Sequence, residues 1–132
     1  MQYRGSILIA DDDSISCKIA AVAVKKLGYN ATCVANGNQA LMTLREEEFD
    51  LLLIDWLMPV MGGAEAVMEI RSGNAGDHHS GIPIIVMTAD VVNCKEKNCA
   101  DLGVNGYLSK PVCLNRLSNL IDSLMEFQES IE

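Results

Sequence analysis

The sequence predicts an α/β domain: one parallel, doubly wound sheet with helices on both faces. Three observations carry this. Short apolar runs alternate with three-four-spaced helical patterns along the whole chain. Two runs, Leu51-Leu52-Leu53-Ile54 and Ile82-Pro83-Ile84-Ile85-Val86-Met87, are apolar throughout, as parallel strands covered on both sides are. Five βα units fit into about 125 residues, which implies a single sheet with right-handed crossovers.

The elements follow in order. Ser6 to Ala10 reads as a buried strand that stops at Asp11-Asp12-Asp13. A helix follows, capped by Asp13 or Ser14, with Ile15, Ile19, Val22, Ala23 and Leu27 assigned to its core face. Gly28 ends it as a left-handed cap. Tyr29 to Ala35 is the second strand, and Asn36-Gly37 turns the chain. Ala40, Leu41 and Leu44 mark the second helix. The third strand lies within Phe49 to Asp55, and Trp56 to Gly63 is a Pro/Gly loop. Ala64 to Arg71 is the third helix, and Ser72 to Gly81 a polar loop in which His78-His79 is expected to be solvated. Ile82 to Met87 is the fourth strand, Val91 to Leu102 the fourth helix, and Val104 to Leu108 the fifth strand. Leu114, Leu117, Ile121, Leu124 and Met125 give the fifth helix its apolar face, and Gln128 to Glu132 reads as a fraying tail.

Composition narrows the function classes. A chain of 132 residues is one domain's worth, with the core expected over residues 6–125. Hydrophobic residues at 49% and charged residues at 21% exclude disorder. No apolar run is long enough to span a bilayer, and the N-terminal residues lack a signal peptide's apolar core. Ten basic against 18 acidic residues give a formal charge of −8, which disfavours nucleic acid and suits a bound cation. Cys17, Cys33, Cys94, Cys99 and Cys113 are an odd set without a C-x-x-C pair. They read as small buried hydrophobes in a reducing, cytoplasmic setting. The methionines read as core filler.

In open parallel sheets, ligands bind beyond the carboxyl ends of the strands. The residues expected there are Asp11, Asp12 and Asp13 after strand one, Asp55 after strand three, Thr88 after strand four, and Ser109 and Lys110 after strand five. Carboxylates crowded this closely repel one another unless a cation sits among them, and hard oxygen ligands that retain waters suit Mg2+. Asp13 is read as a helix cap. Asp55 is not, because Pro59, Gly62 and Gly63 intervene before any helix.

Four segments together resemble the receiver domain of two-component response regulators: Ile9-Ala10-Asp11-Asp12-Asp13, Leu53-Ile54-Asp55-Trp56-Leu57-Met58-Pro59, Val86-Met87-Thr88-Ala89-Asp90 and Gly106-Tyr107-Leu108-Ser109-Lys110-Pro111. Their order and spacing agree with the family from about Ser6 to Leu124. The resemblance implies a flavodoxin-like fold with strand order 2-1-3-4-5 and five helices. It implies that Asp55 accepts a phosphoryl group from a phosphohistidine on a sensor histidine kinase or a histidine phosphotransfer domain. Asp11, Asp12, Asp55 and the backbone carbonyl of Leu57 would hold Mg2+. Thr88 and Lys110 would contact phosphoryl oxygens, Lys110-Pro111 would be cis, and Tyr107 would be an aromatic switch. Ile15, at the start of the first helix, is a candidate partner face.

Two other classes stand beside this reading: a non-phosphorylated docking module of the same fold, and an Mg2+-dependent phosphatase using the Asp-x-Asp spacing in Asp11-Asp12-Asp13. Gly62 departs from the Asp that the family often carries there. The long Ser72–Gly81 segment resembles receivers of hybrid histidine kinases. A stand-alone regulator, or the receiver of a regulator with an effector domain, stays open at this point, as does the oligomeric state.

Overall fold

A computed structural model describes residues 3–89 and 102–129. Its elements are β1 (Ser6–Ala10), α1 (Ser14–Lys26), β2 (Asn30–Val34), α2 (Gly37–Glu46), β3 (Leu51–Asp55), α3 (Gly63–Arg71), a 3-10 turn (Asp77–His79), β4 (Ile84–Thr88), β5 (Gly106–Ser109) and α4 (Leu114–Glu129). The helix expected over Val91 to Leu102 lies outside the described residues except for Leu102, so four helices are described. The expected tail begins within α4, and its last three residues also lie outside.

All five strands are parallel, in the order β2-β1-β3-β4-β5. β3 and β4 are buried at every position. Alternate side chains on β1 and β3 point to opposite faces and build two cores. Leu8, Ala10, Leu52 and Ile54 pack under α2 and α3 with Leu41, Leu44, Val67 and Ile70. Ile7, Ile9, Leu51 and Leu53 pack under α1 and α4 with Ala20, Val24, Leu117 and Ile121. The register pairs Ala10 with Ile54, Asp55 with Met87, and Thr88 with Ser109. Asp11, Asp55, Thr88 and Lys110 thereby end up along one edge.

Several expectations need correction. The buried face of α1 is Cys17, Ala20, Ala23 and Val24, while Ile15, Ile19 and Val22 are exposed. Both sets have helical spacing, so periodicity alone cannot choose; the small residues let the helix sit closer to the sheet. His79 is buried, not solvated. The 3-10 turn presses its ring beneath the start of β3. Cys33 and Cys113 are exposed, so only Cys17 of the described cysteines is a buried hydrophobe. Among the described residues, no helix is long and apolar enough to cross a membrane.

Candidate functional site

The first acidic cluster is shaped by the turn between β1 and α1. Asp13 caps α1: its Oδ1 accepts the backbone N–H groups of Ile15 at 2.9 Å and Ser16 at 3.4 Å. The cap's own N–H donates to Asp11 Oδ1 at 2.9 Å. Asp11 is therefore held by the cap, and it is 3% exposed. Asp12, between them, faces solvent.

Asp55 is the last residue of β3 and is 7% exposed. Its Oδ1 accepts the Leu57 N–H at 3.2 Å, which orients the carboxylate along the outgoing loop. Lys110 follows β5, and its backbone N–H donates to the Thr88 carbonyl at 3.0 Å. Its Nζ lies 2.7 Å from Asp11 Oδ2 and 2.7 Å from Asp55 Oδ2. Burial opposes the charge on Lys110, but the two carboxylates outweigh it and hold the ammonium above its usual pKa. The Lys110-Pro111 peptide is cis, as expected.

Ligand oxygens of Asp11, Asp12 and Asp55 all lie within 4.8 Å of one another. Three carboxylates facing one ammonium leave a formal charge of −2, from −3 and +1. That surplus and the all-oxygen donor set fit a hard divalent cation. Thr88 is buried at the end of β4, in line with this cluster. Tyr107 is half-buried against the core under α2 and α3, as is Trp56. Leu57 is 72% exposed and Ile15 68% exposed. The structure thus brings Asp11, Asp12, Asp55 and Lys110 together, with Thr88 beside them on the same edge. Ile15 stands apart on the solvent side of α1, one residue beyond the start of the helix.

Sequence reasoning passed over Gly63. A Cβ there would lie 2.6 Å from the Asp55 carbonyl oxygen and 2.8 Å from Trp56 Cα. Only glycine lets α3 start this close to the end of β3. The Gly62-Gly63 pair was the available signal. A groove of about 310 Å³ beside the cluster, lined by Asp11, Asp12, Cys17, Lys18, Cys33 and Gln39, was also not foreseen.

The response regulator receiver domain family matches residues 7–122. The chain belongs to this family. A probable histidine kinase 4 of Oryza sativa subsp. japonica is 37% identical to this receiver domain over 124 residues, 80% of the chain. A hybrid signal transduction histidine kinase K of Dictyostelium discoideum is 30% identical over 93% of it. The receiver domain spans only 12% and 10% of those two proteins. Among solved structures, it resembles the receiver domain of a sensor histidine kinase from Pseudomonas aeruginosa PAO1. That match has a TM-score of 0.81 and 30% identity, covering 90% of this chain and 95% of the other. The Pseudomonas structure has a magnesium ion coordinated in its active site cleft. This receiver domain is therefore a two-component signalling module with a five-stranded receiver sheet and an acidic pocket. The phosphatase alternative gains no support from the family match or these relatives.

Proposed function

We propose that this receiver domain takes a phosphoryl group from a phosphohistidine onto Asp55. The observation that carries the reading is Lys110 Nζ placed 2.7 Å from both Asp11 and Asp55 at the sheet edge. A carboxylate oxygen of Asp55 attacks phosphorus, the P–N bond to the donor imidazole breaks, and an acyl phosphate forms. The imidazole leaves with the bonding pair and takes a proton.

Such a transfer needs alignment and charge neutralisation more than covalent help. Lys110 supplies a cation that can follow the phosphoryl oxygens as charge develops on them. Thr88 supplies a hydroxyl at the neighbouring strand end. Asp11, Asp12, Asp55 and the Leu57 carbonyl would hold Mg2+, which when bound offsets phosphoryl charge. The magnesium in the related Pseudomonas cleft supports this choice of ion. Tyr107, on β5 and half-buried against the core under α2 and α3, is the proposed aromatic switch that responds when Thr88 is engaged.

The proposed donors are a sensor histidine kinase or a histidine phosphotransfer domain, and the parent protein a hybrid histidine kinase. An ATP-derived phosphohistidine suits a cytoplasmic domain. Ile15, exposed with Ile19 and Val22 on one side of α1, is the proposed seat for the donor's helices.

Incubation with acetyl phosphate and Mg2+ tests the acceptor. One acid-stable, base-labile phosphoryl group is expected, and Asp55→Asn abolishes it. Labelling that persists in the variant refutes the assignment. A folded wild type that takes no label from either acetyl phosphate or a phosphorylated donor identifies a docking module instead.

A further inference from the structure

Two cysteines meet where α1 crosses the edge strand β2. The Cys33 thiol lies 3.6 Å from the Cys17 carbonyl oxygen. The Cys17 thiol lies 3.9 Å from the carbonyl of Ile9, the residue paired with Cys33 across the β1–β2 ladder. Both cysteines line the groove of about 310 Å³ that runs to Asp11 and Asp12. Their environments differ: Cys33 is exposed, while Cys17 is 5% exposed.

We propose that Cys17 and Cys33 are a redox-modifiable pair, oxidised by hydroperoxides to a reversible intramolecular disulfide on the wall of this groove. The exposed Cys33 reacts first. Its sulfur attacks a peroxide oxygen, the O–O bond breaks, and Cys33 becomes a sulfenic acid while the other oxygen leaves as water or an alcohol. The Cys17 sulfur then attacks the Cys33 sulfur. The S–O bond breaks, and the departing hydroxide leaves with the Cys17 proton as water. Two electrons pass in all from the thiols to the peroxide.

Burial and the adjacent Cys33 push the Cys17 thiol well above its usual pKa. Cys17 therefore stays protonated and is not the first of the two thiols to be oxidised. The bond would join the first turn of α1, next to the Asp13 cap, to the edge of the sheet. Sequence spacing hides the pair, because it exists only through the packing of α1 on β2.

The test treats the full, reduced chain with stoichiometric hydrogen peroxide. Unreacted thiols are then blocked and the unreduced protein mapped by proteolysis and mass spectrometry. The expected product is a monomer lighter by two hydrogens, with the Cys17 and Cys33 peptides joined and separable by dithiothreitol. Cys113→Ser leaves this product unchanged, and Cys17→Ser stops at a Cys33 sulfenic acid that dimedone traps. Over-oxidation of Cys33 with Cys17 unlinked overturns the proposal. So does a bond from either cysteine to Cys94, Cys99, Cys113 or a second chain. The wild-type map alone decides between these outcomes, and none depends on phosphorylation of Asp55.

Discussion

The backbone N–H of Phe49 donates to Nε2 of His79 at 3.0 Å, joining the entrance of β3 to a 3-10 turn 30 residues away. Nε2 must be unprotonated to accept this bond, so the proton of the neutral ring sits on Nδ1. Burial, then the neighbouring His78 ring, pushes the His79 pKa below its ordinary value, against the opposing pull of the Leu44 and Ala75 backbone and, last, of Glu48. In the unfolded chain His79 titrates near 6.5, at about the unperturbed value. As pH falls below that, the unfolded state binds a proton that the folded state refuses, so stability drops until the folded pKa is passed. Thermal melts between pH 8 and 5 should therefore slope downward in the wild type. His79→Gln keeps an acceptor for Phe49 without titrating, and the slope around pH 6 should flatten. Parallel slopes in the two proteins contradict the assignment.

Lys110→Ala removes the only ammonium shared by Asp11 and Asp55 among the described residues. Leaving a buried acceptor without its partner costs about 1–3 kcal/mol. The variant should melt lower but fold, and Mg2+ should raise its melting temperature more than it raises the wild type's. Labelling from acetyl phosphate should be slower. A variant that labels at the wild-type rate removes Lys110 from the transfer step.

Ile15→Asp separates a docking face from a structural one. The side chain is 68% exposed, so stability should stay within about 0.5 kcal/mol of wild type. Acetyl phosphate should still label Asp55, while transfer from a phosphorylated histidine donor falls at least tenfold. Equal transfer rates would show that the donor docks elsewhere.

Trp56, the sole tryptophan, directly follows Asp55 and is half-buried against the core under α2 and α3. Mg2+ should change its fluorescence saturably, and Asp12→Ala should abolish the change without lowering the melting temperature. An unaltered emission spectrum, together with no heat of binding in calorimetry, would exclude a cation from the cluster.

The strand ends were legible because β3 and β4 are continuous apolar runs with a polar residue at each terminus. That alone aligned Asp55 and Thr88, and the parallel order then brought in Asp11 and Lys110. The Asp13 cap was equally legible, since it depends on neighbours two and three residues away. The rotation of α1 was not. That helix carries apolar residues on nearly every side, and only contact with the sheet selects Cys17, Ala20 and Val24. His79 was misplaced for a related reason: its partner, Phe49, is local in space and remote in sequence. The helix expected over Val91 to Leu102 lies outside the described residues except for Leu102.

The loop after Asp55 is tied down at both ends. Gly63 N–H donates to the Trp56 carbonyl at 3.0 Å, and Gly37 N–H to the Met61 carbonyl at 3.0 Å. The segment that carries Leu57 is therefore shaped when the protein folds rather than when an ion or a phosphodonor arrives. Its ordering entropy is already spent, so little of the later binding energy is diverted to arranging backbone. A receiver built this way can answer a brief encounter with its donor, because the ground it lands on does not have to move first.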